Sequence, residues 1–230
     1  MNKDTLSNRL QSVCAFIKPG AVVADVGTDH GYLPAHLAAV DPAARLIAAD
    51  IKKGPLDRAR RTARDAGVYD RISFIQTDGL IGISGIGVDH IVLAGLGGEV
   101  MIKILSEAPW TRCDAIRLIL QPQSKTDVLI SWLHDSGYDI CDAVLAKDGG
   151  RIYLVMLAGG QTESTHTKPL NILLRRKDPL LPEYLMGQLE KTERALSGLS
   201  KATRSQGGAR ASLEKKLDEL DRFKKETDAW

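Results

Sequence analysis

Between residues 25 and 34 the sequence reads Asp25-Val-Gly27-Thr28-Asp29-His30-Gly31-Tyr32-Leu-Pro34. The stretch follows an apolar run and precedes a helical pattern, the context of a turn that can carry a nucleotide-type ligand. Glycines there let the backbone turn sharply with positive φ and come close to a ligand. The helix start behind them offers unpaired N–H groups to a carboxylate or phosphate. An ordinary strand-to-helix turn uses the same residues, so this stretch alone decides little. Asp50 adds to it, ending a second apolar run roughly 20 residues after the first glycine, where a carboxylate can accept both hydroxyls of a ribose. Asp78-Gly79 follows a third run and Gly95-Leu96-Gly97-Gly98 a fourth. Any one Asp in such a place is commonly a turn or helix cap. Four such features in series point to one ligand rim.

The elements that must position these residues alternate over the first 160 positions. Apolar runs at 21–26, 46–50, 72–76, 90–94 and 116–121 are separated by helical patterns from 31 onward and near 54–66, 99–106 and 127–135. Continuous apolar runs of this length fit strands buried on both faces of a parallel sheet. Two further β-rich runs, 138–146 and 152–158, flank a Gly-containing link at 147–151, which is short enough only for an antiparallel hairpin. The expected class is therefore α/β, a Rossmann-like sheet with a terminal antiparallel hairpin. From about residue 159 the composition turns polar, which places a boundary there, with domains at 1–160 and 161–230. In the second part Leu185, Leu189, Thr192, Leu196 and Leu199 are spaced 4-3-4-3, and Leu213, Leu217 and Leu220 resume the pattern. Two helices broken at Thr203–Gly208 predict an antiparallel coiled-coil hairpin, on pattern alone a dimerisation or packing module.

Composition bounds the remaining possibilities. The chain has 230 residues, 43% hydrophobic and 26% charged, with 31 Lys+Arg against 29 Asp+Glu. That balance fits a soluble globular protein and excludes wholesale disorder. No apolar run approaches the ~20 residues of a membrane span, and Met1–Thr5 begins no secretory leader. Three widely spaced cysteines suit a reducing, cytoplasmic setting. The five histidines lack metal-ligand spacing, so no metal is expected. The net charge of +2 does not announce a nucleic acid. Residues 161–230 carry 14 Lys+Arg against 11 Asp+Glu, a balance of +3 that permits RNA without requiring it.

Dinucleotide sites carry closely spaced glycines that admit a pyrophosphate, whereas here Asp29 takes the middle position. A carboxylate facing a diphosphate is repelled by roughly 1 kcal/mol at 4 Å in water, and more where solvent is reduced. Beside a sulfonium and an ammonium it is favoured. The terminal hairpin also resembles that of the class I S-adenosylmethionine (SAM)-dependent methyltransferases, so SAM is the expected cofactor.

Five segments occur together and in order: D-V-G-T-D-H-G-Y-L-P at 25–34, A-D-I-K-K-G-P at 49–55, D-G-L at 78–80, A-G-L-G-G at 94–98 and L-I-L-Q-P at 118–122. With L-S-N-R-L at 6–10 and the helical tail, the chain resembles the bacterial tRNA (adenine-N1)-methyltransferases that act on adenine 22. The resemblance implies a class I fold, SAM as donor, tRNA as partner and a coiled-coil tail that assists tRNA binding. It places Gly27, Asp29 and Gly31 along the methionine part of the donor, Asp50 at its ribose and Asp78 near its adenine amino group; Asp25, Thr28, Ile51, Gly79 and Gly95 are further expected cofactor contacts. Asp50 stands where Glu is usual, and Gln123 where Asn is usual.

Adenine N1 has a neutral lone pair and becomes cationic on methylation, so an anion near the exocyclic amine is more useful than a base. Asp29 is the catalytic candidate, with helix capping as its alternative role. Gly97 and Gly98 would leave room for the target base, or merely make a tight connection. Tyr32 could stack on that base or be a buried helix residue. Lys52, Lys53, Arg60 and Arg61, within a run that includes Arg58 and Arg64, are candidate phosphate contacts or a solvated face. Arg9 could reach the donor carboxylate or a phosphate. Two other readings remain open: a SAM enzyme acting on a small molecule or protein with a dimerising coiled coil, and a non-catalytic nucleotide-binding module. A monomer is favoured.

Overall fold

The computed structural model describes residues 6–160, 167–200 and 207–230. Met1–Thr5, the polar stretch 161–166 and most of the expected Thr203–Gly208 break lie outside them. The chain divides into two compact units between Pro169 and Leu170.

The first unit is built on a seven-stranded sheet. Its strands are β1 (Val22–Val26), β2 (Arg45–Asp50), β3 (Ile72–Gln76), β4 (His90–Gly97), β5 (Arg117–Ser124), β6 (Tyr138–Asp148) and β7 (Arg151–Gly160). Their order is β3-β2-β1-β4-β5-β7-β6. The first five are parallel, and β7 enters antiparallel between β5 and β6. Val23, Ile47, Ile91, Val92, Ile119 and Leu120 are all buried, as expected of central strands covered on both faces. The order reverses between β1 and β4, and open α/β sheets bind ligands outside the carboxyl ends at such a point.

Three details differ from the sequence expectation. The hairpin strands run on to Asp148 and from Arg151, leaving a two-residue turn, Gly149-Gly150, with φ of 54° and 75°. That is the left-handed pair required by the tightest hairpins. Strand β4 continues through Gly95 to Gly97 because its pairing with β5 resumes beyond irregular steps at Ala94/Leu96 and Leu96/Gly97. A short helix α1 (Asn8–Cys14) precedes the sheet, its first turn capped by the Ser7 hydroxyl, which accepts from the Leu10 N–H at 3.4 Å. Seven residues carry too little periodicity to announce a helix.

Four helices complete the layers: α2 (Tyr32–Val40), α3 (Lys53–Asp65), α4 (Gly98–Ser106) and α5 (Thr126–Asp135). In α3, Leu56, Ala59 and Ala63 form the buried stripe and the arginines lie outside it.

The second unit holds most of α6 (Pro169–Arg175), together with α7 (Leu181–Ser200) and α8 (Gly207–Asp228). Helices α7 and α8 pack together. Leu185, Leu189 and Thr192 of the expected seam are buried, and so are Leu220 and Phe223. The Thr192 hydroxyl donates to the Gln188 carbonyl at 2.8 Å, which satisfies a polar group in an apolar stripe. Gly207 and Gly208 were expected in the break but lie in the first turn of α8.

Candidate active site

A pocket of about 570 Å³ opens at the carboxyl ends of β1, β2 and β4. Its floor is the turn after β1. The N–H groups of Gly27 and Thr28 both donate to the Ala49 carbonyl, at 2.8 and 3.1 Å, tying the turn to the end of β2. Gly27, Asp29 and Gly31 have φ of 80°, 44° and 67°. Three left-handed residues in five make a turn that no run of ordinary side chains would adopt without strain.

Asp25 is buried beneath this turn and accepts a 2.6 Å hydrogen bond from the Thr28 hydroxyl. Burial pushes its carboxyl up to about 6, opposed by the Thr28 bond and by Arg9, while nearby Asp50 adds to the rise. Asp50 accepts from the Lys52 N–H through Oδ1 at 2.8 Å and lines the pocket with Ile51 and Lys52. Asp78 lines the opposite side, its Oδ2 3.3 Å from Lys103 Nζ of α4, and Gly79 beside it packs on Ile104.

Asp29 does not cap a helix. Gly31 occupies the cap position of α2, without a side-chain bond. The Asp29 carboxylate instead pairs with Arg58 of α3 through Oδ1, while its Oδ2 lies 3.7 Å from His30 Nε2. Tyr32 is 50% exposed, not buried, and stacks on His30 in the pocket wall.

Several expected site residues take other positions. Gly31 does not line the pocket; a Cβ there would meet Ala59 Cβ at 2.6 Å, so this glycine permits α2 to approach α3. Gly97 and Gly98 also lie outside the lining. A Cβ on Gly98 would stand 2.5 Å from the Lys125 carbonyl oxygen, and one on Gly97 3.1 Å from Ser124 Oγ. The Cβ direction of each is occupied by protein, which favours the tight connection over the expectation that they leave room for a base. Arg60 is held by Asp57 at 2.9 Å and lies over the Phe74 ring, whereas Lys52, Lys53 and Arg61 are exposed.

Gln121 was missed. It is fully buried within β5, and its Oε1 accepts from Arg9 Nη1 at 2.8 Å and from the Gly95 N–H at 3.1 Å. One amide thus fixes the α1 arginine and the Gly95 backbone at the pocket edge. The signal was a glutamine closing an apolar strand run, since a buried amide must have partners. Arg58 was seen only as one member of a basic run.

A family model described as a methyltransferase domain matches residues 6–156, which contain every pocket residue named above. The chain belongs to this methyltransferase family. The match fits the strand order and the carboxylates at successive strand ends. Among curated proteins, the tRNA (adenine(22)-N(1))-methyltransferase of Bacillus subtilis is 37% identical over 158 residues, 69% of this chain and 66% of that protein. The chain spans just under two thirds of the length of the first curated relatives it matches. A crystal structure of the B. subtilis m1A22 tRNA methyltransferase is 28% identical, with a TM-score of 0.73 and 98% of both chains covered. A Streptococcus pneumoniae protein provisionally assigned as a tRNA (m1A22) methyltransferase, solved with S-adenosyl-L-methionine, is 27% identical. Its TM-score is 0.78, covering 96% of this chain and all of that one. Among the described residues no helix of this methyltransferase is long and apolar enough to cross a membrane.

Proposed function

We propose that this chain is a SAM-dependent tRNA methyltransferase that transfers a methyl group to N1 of adenine 22. The observation that carries the reading is the 37% identity to the B. subtilis enzyme of that activity. The pocket supports it. Its volume lies within the ~300–1,000 Å³ of small-molecule sites. Asp25, Asp29, Asp50 and Asp78 put four carboxylates on its lining, an arrangement suited to a cationic ligand with a ribose and unfavourable to a diphosphate.

In this reading Asp50 holds the ribose through the carboxylate oxygen not given to Lys52, and Asp78 receives the adenine amino group. Asp25 and Thr28 face the amino-acid end, where Arg9 offers a cation to a carboxylate. When bound, SAM supplies an electrophilic methyl carbon on a positively charged sulfur. Adenine N1 needs no deprotonation, so the chain supplies no general base. Asp29 accepts a hydrogen bond from the exocyclic amine and stabilises the positive charge that grows on the ring. Arg58 holds that carboxylate in its left-handed position. Lys52, Lys53 and Arg61 contact tRNA phosphates, and the α7–α8 pair acts as a coiled-coil arm on the tRNA in a monomeric, cytoplasmic enzyme.

Methyl transfer from SAM to tRNA transcripts, followed by mass analysis of the nucleosides, tests this reading. The expected product is N1-methyladenosine, abolished by RNase treatment and by replacing A22 with G. Transfer to protein or small molecules with tRNA absent would overturn it. Asp29→Ala is expected to lower kcat by about 10- to 100-fold, below the upper range for a buried charge-stabilising group because Asp29 is half exposed.

A further inference from the structure

The His30–Tyr32 pair is used by none of the cofactor contacts described above. The two rings lie 7° from parallel with centroids 5.3 Å apart, and both line the pocket. His30 lies in the turn and Tyr32 opens α2, and side chains two apart on a continuous helix would not face each other. Here they do because Gly31 between them is left-handed, with φ of 67°, and is pressed against Ala59. A tyrosine half exposed at the first position of a helix leaves a large apolar face open to solvent. Large apolar faces left open in a concave site commonly mark a binding surface. The carboxylate of Asp29 stands at the edge of the His30 ring, its Oδ2 3.7 Å from His30 Nε2.

We propose that the His30–Tyr32 stack is the platform that receives the target base, a purine lying on it as a third layer with Asp29 at its amino edge. This inference rests on the methyltransferase reading and adds the means by which the base is held and chosen. Stacking accepts any base, because every base has a π-face. Selection comes from the edge: Asp29 accepts from the exocyclic amine of adenine and repels the carbonyl oxygen that guanine presents there. Methylation also turns the ring into a cation. The negative face of the Tyr32 ring then attracts the base more strongly in the transition state than before it. The platform therefore acts on kcat as well as on capture of the extruded nucleotide.

Two readouts on Tyr32→Leu, Tyr32→Phe and His30→Ala test the platform. Tyr32→Leu is expected to lower kcat/KM for tRNA by about 5- to 100-fold, the range seen when a base loses an aromatic partner. Tyr32→Phe keeps most of the activity, and calorimetric affinity for S-adenosylhomocysteine is unchanged in all three. A tRNA carrying 2-aminopurine at position 22, which has no amine at C6 and so reads stacking apart from the Asp29 contact, reports the stack directly: its emission when bound is quenched by wild type and brighter with Tyr32→Leu or His30→Ala. Wild-type kcat/KM and equal emission in those two variants would overturn the platform while leaving the methyltransferase reading intact. A parallel loss of S-adenosylhomocysteine affinity would also overturn it, since the rings would then be holding the turn. A wild-type protein that methylates no tRNA refutes the broader reading instead.

Discussion

Two glycine-rich strand-to-helix connections flank the switch point of the sheet, and they serve opposite ends. After β1, Gly27 and Asp29 take left-handed conformations and expose backbone to an open pocket. After β4, Gly98 faces the Lys125 carbonyl so closely that a methyl group has no place. One connection uses glycine to admit a ligand; the other uses it to admit the neighbouring chain. Glycine in a sequence says only that something approaches the backbone. What differs is the crowding atom: a movable side chain, Leu96, beside Gly27, and fixed backbone, Lys125, beside Gly98.

The largest test of this contrast is Gly98→Ala. A Cβ 2.5 Å from a backbone oxygen cannot be relieved by a side-chain rotation, so overpacking is expected to cost on the order of 3 kcal/mol. Thermal denaturation should show a drop of several degrees; an unchanged Tm would break the contrast. Gly27→Ala should do the reverse. Its Cβ would meet only the flexible Leu96 side chain, at 3.1 Å, and the left-handed backbone costs about 1–2 kcal/mol. Affinity for S-adenosylhomocysteine should fall by more than tenfold, with a smaller Tm loss than Gly98→Ala.

Asp25 sharpens the comparison through pH. Its folded carboxyl, at about 6, lies above the ordinary value. Between about pH 4 and that value the folded state holds a proton that the unfolded chain has lost, so stability falls as pH rises through the window. A cationic ligand favours ionised Asp25. Its affinity should therefore rise with pH up to about 6, by at most about tenfold per unit, and then level off. Calorimetry from pH 5 to 7.5 checks this, and Asp25→Asn should flatten the profile.

The smallest effect concerns the outer face of α3. Exposed Arg61, changed to Ala, should reduce the salt slope of tRNA binding by about 0.7–0.9, one phosphate contact. Arg60→Ala should leave the slope in place, because Arg60 is engaged by Asp57 and Phe74. Equal slopes for the two variants would remove the distinction.

The strands were legible because burial on both faces writes continuous apolar runs such as Leu118–Leu120, and the hairpin because Gly149-Gly150 permits little else. Asp25, Asp50 and Asp78 were legible as a rim because each lies at or just beyond the carboxyl end of a strand. Pairings between distant segments were not. The Arg58–Asp29 ion pair and the Arg9–Gln121–Gly95 network join residues 29 and 112 positions apart at their longest steps, and no local spacing encodes them. Gly31, Gly97 and Gly98 misled for a related reason: the atoms that crowd them, Ala59, Ser124 and Lys125, arrive from elsewhere in the chain. The helical tail showed its 4-3 seam, while the burial of Phe223 depends on how α8 meets its neighbours.

The most direct measurement is a calorimetric titration of the purified protein with S-adenosylhomocysteine and, in parallel, with NADH. Saturable heat at a single site for the first, reduced in Gly27→Ala, and none for the second is the predicted result. Heat for NADH with none for S-adenosylhomocysteine would contradict the account at its base.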